Sequence, residues 1–365
     1  MNLKSIRNAA VPGIAALALL MSACGASNED GGSDNGDSGS SLSGNLKGGG
    51  STAQEKAQEA WKTAFQGKNS GLTIDYALLG STDGRGQFVS KALSFAGSDS
   101  YFKDEELDAA KERCGGTIVE VPAYISSIAI AFNLPGVDEL NLDADTIAKI
   151  FDGKIANWND KVIADQNPDA TLPDLKIAPV HRADDSGTTK NFTDYLAKAA
   201  PDAWSYEPAD PFPVSGGLSA EGTSGVVKLI GDTEGAIGYA DASQTADLAH
   251  VSVKVGEEYV APSPEGAAKT VEVSPLVEGR DATDVAVDVD RTTTEAGAYP
   301  VILLSYLIGC ETYDDAAEAA NVKGYFEYIV SDEGQAEAAD FAGSAELAPA
   351  TASKVQEIVA GISAK

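Results

Sequence analysis

Three times in this chain a β-rich run or turn ends in small residues, a hydroxyl side chain follows, and a helical pattern begins at once. The segments are Gly48-Gly49-Gly50-Ser51-Thr52, Gly80-Ser81-Thr82-Asp83-Gly84 and Asp185-Ser186-Gly187-Thr188. Strand-like runs at Leu72–Gly80, Thr117–Val121, Ser127–Phe132, Leu175–Ala183 and Val301–Gly309 alternate with helical patterns, among them Ser51–Gln66 and Thr188–Ala200. "GAIGYAD" reads as a short strand bounded by glycines, and "AANVKGYFEYIVSDEGQAEAADF" as helical. Such alternation predicts an α/β class, with mostly parallel sheets covered by helices on both faces. At 365 residues, two lobes are expected rather than one.

The helix starts carry chemistry. The first turn of a helix leaves backbone N–H groups unpaired and holds roughly half a positive charge. Glycine lets a ligand come close to that backbone. Each segment alone reads as an ordinary N-cap. Three of them, with Arg182 beside one, point to a cup for a small oxyanion, because a guanidinium fork can bind two of its oxygens at once. In open α/β folds such ligands gather where strand carboxyl ends meet helix starts. The same stretch around Asp185 also spells the Asp-Ser/Thr-Gly core of an aspartic protease. That chemistry needs two carboxyls sharing a proton, and one motif occurs. Gly222-Thr223-Ser224-Gly225 is one residue out of frame for a serine-hydrolase elbow, and no Walker motif is present.

The net charge of −30 argues against nucleic acid as a partner. It also raises the question of how an anion would be captured. Charges beyond a Debye length, about 8 Å at physiological salt, are largely screened. Local donors then decide, each hydrogen bond to a charged group contributing ~1.5–3 kcal/mol.

The amino terminus reads as an export signal. Lys4 and Arg7 precede a short apolar run, Ala9 to Leu20, too short to span a bilayer, which needs about 20 residues. Met21-Ser22-Ala23-Cys24 resembles a bacterial lipobox, which would cleave the signal (1–23) and lipidate Cys24. A plain signal peptide cut near Ala23 is the alternative. Residues 24–45 are almost devoid of apolar side chains and read as a flexible tether. Cys114 and Cys310 remain, suggesting one disulfide in an exported protein, or else two buried thiols. His181 and His250 lie far apart, no Cys-x-x-Cys occurs, and no metal or other cofactor is called for.

The order "GSTDGR", "FAGSD", "HRADDSGTTKNFTDYL", "GAIGY" resembles the phosphate-binding proteins of the bacterial high-affinity phosphate ABC importer. The likeness runs from about Leu46 to near the carboxyl terminus and is strongest between Gly80 and Tyr239. It implies a two-lobe periplasmic-binding-protein (type II) fold with a ligand cleft between the lobes. Lobe I would hold 46–123 and 276–365, and lobe II 124–275. By matching position, Arg182, Ser186, Gly187 and Thr188 would bind phosphate from one lobe. Ser81 and Asp99 would bind it from the other, with Thr52 and the Ala53 amide. Asp184 would hold the arginine. The resemblance further implies a monomer without catalytic activity, tethered outside the cell membrane, that delivers phosphate to permease subunits. Receptors for another oxyanion, a secreted phosphatase, and an adhesin retaining the fold are the other readings. Three departures stand out: His181 for an arginine, Asp185 for a glycine, and Ala53 for a phenylalanine.

Overall fold

The computed structural model describes residues 42–365. The expected signal segment 1–23, Cys24 and the expected tether as far as residue 41 lie outside them. Among the described residues, thirteen strands, eleven α-helices and one 3-10 helix follow in chain order. The first half of the order is β1 (Ser43–Gly50), α1 (Glu55–Lys68), β2 (Gly71–Leu78), α2 (Ser81–Val89), β3 (Phe95–Ser98), α3 (Asp104–Cys114), β4 (Ile118–Asn133), β5 (Glu139–Leu142), α4 (Ala144–Phe151), α5 (Lys161–Gln166), β6 (Ala178–Arg182) and α6 (Gly187–Ala199). Then come β7 (Leu218–Ala220), α7 (Gly222–Asp232), β8 (Ala236–Asp241), a one-turn 3-10 helix at Ala242–Gln244, β9 (Ala249–Val255), β10 (Glu258–Val260), α8 (Pro264–Glu272), β11 (Ile302–Cys310), β12 (Thr312–Tyr313), α9 (Ala316–Ile329), α10 (Asp332–Ala342), α11 (Pro349–Ala360) and β13 (Ser363–Ala364).

Strands β1 to β11 belong to one sheet, whose main path runs β2-β1-β3-β11-β4-β8-β6-β7, with β9 beside β4 and joining β5 and β10. The expected parallel pairing is found towards both ends of this sheet. The outer pairs β1–β2, β1–β3, β6–β8 and β6–β7 are parallel. The centre is antiparallel, because β11 and β4 each run against both of their neighbours on that path. These two strands join the halves. β4 is read from sequence as two short runs, yet it is one strand of 16 residues, buried along all but its last position. Pro122 does not break it, because the pairing with β11 shifts register between Ser305 and Tyr306, a bulge that accommodates the missing donor.

The boundary placed at 123/124 therefore falls inside β4. The body also begins earlier than residue 46. Ser43 to Asn45 already pair with Gly71 to Thr73, so chain assigned to the tether is ordered by its backbone, which needs no apolar side chain. The helical tail divides at Ser331, whose hydroxyl accepts from the Gly334 amide and starts α10. Cys114 and Cys310 are joined in a disulfide, closing α3 onto the end of β11.

Candidate functional site

The carboxyl ends of β1, β2 and β3 in one half of the sheet face those of β6, β7 and β8 in the other. Every residue predicted to bind the ligand lies at one of these strand ends, in the connection that leaves it or at the start of the next helix. Ser81, Asp99, Arg182, Ser186 and Thr188 are all at least 97% buried, although all are polar. Polar groups are withdrawn from water in this way only when something satisfies them.

Ser81 opens α2 directly after Gly80, whose φ of +86° suits glycine. Its Oγ accepts from the Asp99 amide at 3.1 Å. The Asp99 Oδ1 accepts from Ser305 Oγ at 2.6 Å. Burial raises the Asp99 carboxyl, against the lowering influence of Ser305, Ser51, the Arg182 charge and Ser81. Asp99 is not a helix cap, since α3 begins at Asp104. Its loop is braced instead by the buried Arg85, which donates to Ser98 Oγ and Ser100 Oγ at 2.9 and 2.7 Å.

In the other half, Ser186 caps α6, its hydroxyl accepting from the Thr188 and Thr189 amides. Gly187 brings that helix against the first half. A Cβ there would meet Ser81 Oγ at 2.5 Å and the Asp99 Cβ at 2.8 Å. The Thr188 hydroxyl is buried and has no protein partner. A buried hydroxyl without a partner costs about 1–3 kcal/mol, so its position calls for a guest. Arg182 donates through Nε to Asp184 Oδ1 at 2.8 Å, with a second bond from Nη2 to Oδ2. Burial pushes the Asp184 carboxyl up, but Arg182 and the Gly222 amide together hold it below its ordinary value. That amide belongs to the first residue of α7, so the helix start fixes the arginine through the aspartate. Tyr239, from the "GAIGY" run, stacks on Phe192 with ring centres 4.3 Å apart and bonds Thr189 Oγ1 at 2.8 Å.

Two assignments change. The first segment was expected to cap α1 with a hydroxyl, but α1 starts at Glu55 and Gln54 sits at its N-cap without a side-chain bond. The Ser51 hydroxyl accepts from the Ala53 amide at 3.1 Å. Thr52 Oγ1 pairs with Thr223 Oγ1 at 2.9 Å. Both groups attributed to the anion at this end are thus engaged by protein. Asp185 is exposed, so its charge stays in water and cannot serve in a proton-sharing carboxyl pair. Sequence reasoning gave no role to Ser305, Arg85, Thr223, Gln244 and Asn191. Arg85 and Asn191 lie within the runs "GSTDGR" and "HRADDSGTTKNFTDYL", and Thr223 within the glycine and hydroxyl run of residues 222–225, while Ser305 and Gln244 had no local signal.

Among the described residues no cluster of three or more His, Cys, Asp and Glu could hold a metal ion, and no helix is long and apolar enough to cross a membrane. Residues 35–333 match the PBP superfamily domain. The chain is 34% identical to phosphate-binding protein PstS2 of Mycobacterium bovis (strain BCG / Pasteur 1173P2), over 97% of this chain and 98% of that one. This chain belongs to the PstS-like phosphate-binding proteins. It is also 34% identical to PstS 3 of Mycobacterium leprae (strain TN), with 87% of this chain and 89% of that one covered. Among solved structures it is similar to a high-affinity periplasmic phosphate-binding protein, PfluDING, at TM-score 0.71 and 21% identity, covering 86% of this chain and 93% of that one. A putative phosphate ABC transporter substrate-binding protein from Clostridium perfringens matches at TM-score 0.60 and 21% identity, over 82% and 98%. The fold is thus the two-lobed type II binding-protein fold, with family membership resting on the closer sequence relatives.

Proposed function

We propose that this chain captures inorganic phosphate outside the cytoplasm and delivers it to the permease of an ABC transporter. Lobe I (46–123 and 276–365) and lobe II (124–275) close on the anion, and no covalent chemistry follows. Ser81 and Asp99 bind it from lobe I. Arg182, Ser186, Gly187 and Thr188 bind it from lobe II. Thr52 and Ala53 join them from lobe I, because a hydroxyl that accepts from the Thr223 amide can still donate to the anion. Asp184 orients Arg182. Cys24 carries a lipid that holds the monomer at the outer face of the membrane.

The observation that supports the reading is the buried Thr188 hydroxyl without a protein partner, next in the chain to Gly187, which lies against Ser81 and Asp99. A carboxylate in an anion site is repulsive unless the guest brings a proton. Two unit charges 4 Å apart cost about 4 kcal/mol at an effective dielectric of 20. Hydrogen phosphate donates its proton to the carboxylate in a charge-assisted bond, and sulfate has none to give at neutral pH. A carboxyl raised by burial is the stronger acceptor of that proton.

Calorimetry with phosphate and sulfate on the wild type and on Asp99→Ala tests this. The wild type should bind phosphate and reject sulfate. The variant should lose discrimination more than it loses phosphate. Equal selectivity in both proteins removes Asp99 from its role, and no heat with phosphate removes the function.

A further inference from the structure

Three side chains of the β6–β8 half reach across and end on the very residues that carry ligand groups in the other half. Asn191, on α6, donates through Nδ2 to the Asp99 carbonyl at 2.6 Å and to the Gly187 carbonyl at 2.9 Å. Gln244, on the 3-10 turn after β8, donates through Nε2 to the Thr52 carbonyl at 3.0 Å. Thr223, at the start of α7, meets Thr52 Oγ1 with both its hydroxyl and its amide, at 2.9 and 3.3 Å. We infer that Asn191, Thr223 and Gln244 form an interlobe clasp that sets how long phosphate stays bound.

The clasp rests on the phosphate reading. Its contacts exist only while Thr52 and Asp99 stand opposite the other half, which is also the arrangement that encloses the anion. Bonds made in one conformation and broken in the other bias the equilibrium toward the first. They act on the same residues as the ligand, so ligand and clasp favour the same state.

Asn191 is directed by a buried cation. Arg291 donates through Nη2 to Asn191 Oδ1, so the amide must turn Nδ2 toward Asp99. Arg291 itself is fixed by the Pro300 and Ile302 carbonyls, each at 2.9 Å, and by Asp194 at 3.0 Å. Those carbonyls belong to the segment entering β11, one of the two strands joining the halves. Arg291 is therefore a positioning residue for the clasp.

The test uses the full-length protein, inorganic phosphate, and the variants Asn191→Ala, Thr223→Val and Gln244→Ala. Each single variant should raise Kd about three- to tenfold, the range expected for losing one neutral hydrogen bond. Stopped-flow traces should place the change in the dissociation rate, with association altered by less than about twofold. The melting temperature without phosphate should be unchanged, and preference over sulfate should be retained. A structural role alone would instead lower that melting temperature. Gln244→Ala, at a half-buried position, keeps the inference testable if Asn191→Ala fails to fold by leaving Arg291 without its acceptor. Wild-type dissociation rates in Gln244→Ala and Thr223→Val overturn the clasp while leaving the phosphate reading intact. A wild type that binds no phosphate overturns both.

Discussion

Asp99 and Asp241 are both buried carboxyls, yet they have different work to do. Asp99 sits among donors in the gap. Asp241 lies at the end of β8, accepting from Tyr124 at 3.1 and 3.2 Å and from the Ser243 amide at 2.9 Å. Burial dominates there and lifts its pKa to about 7, against the hydrogen bonds from Ser243, Ser126 and Tyr124. The folded value is raised above the unfolded one, so this group's contribution is fully present below about pH 4 and is lost as pH rises through about 7. Asp241→Asn should flatten that part of the stability profile, measured by urea unfolding at pH 5 and pH 8. A slope equal to the wild type would exclude Asp241 as its source. At the other end of the site, Arg182 holds two bonds to Asp184 in a buried setting. Arg182→Ala should weaken phosphate by at least about a hundredfold, since more than one hydrogen bond to a charged group is lost and the Asp184 charge is left unbalanced beside the anion. Arg182→Lys should recover little, because a point charge cannot replace the fork. Calorimetric Kd values for the two variants check this.

At the scale of elements, the close approach of α6 to α2 decides whether the gap can shut. Gly187 is needed at that contact for lack of a side chain, since a Cβ would lie 2.5 Å from Ser81 Oγ. Gly187→Ala should therefore prop the halves apart. Phosphate affinity should fall by about five- to 150-fold, the ~1–3 kcal/mol cost of an overpacked contact, while the unliganded protein melts as before. Small-angle scattering would show the variant failing to contract with phosphate. This helix start was legible in sequence because its cap, Ser186, and its glycine are adjacent in the chain. The start of α1 was misread by several residues, because Ser51 and Thr52 look like caps but are engaged by Ala53 and by Thr223, the latter 171 positions away. No local pattern reveals a partner at that distance.

The molecule as a whole carries a formal charge of −30 and still presents an anion site. The site works through short-range donors in an enclosed gap, so long-range attraction is not its source. Added salt should leave the association rate unchanged or raise it, and stopped-flow association at several ionic strengths would detect the opposite. The disulfide closes a separation of 196 residues, tying α3 to the last residue of β11. Loop closure of that length is worth up to about 5 kcal/mol. Replacing both cysteines by serine should lower the melting temperature markedly while leaving phosphate Kd within about twofold, as neither sulfur lies in the gap.

The chain's one-dimensional pattern determined the α/β class, the glycine-hydroxyl-helix segments and the arginine beside one of them. These are local matters: strand and helix periods, caps, and residues that tolerate close backbone approach all act within a few positions. The antiparallel centre, the single long β4 and the partners drawn from Ser305, Asn191, Thr223 and Gln244 were decided only in three dimensions. Strand direction and cross-half hydrogen bonds depend on which distant segments share a sheet and face a gap, and that follows from the packing of the whole chain.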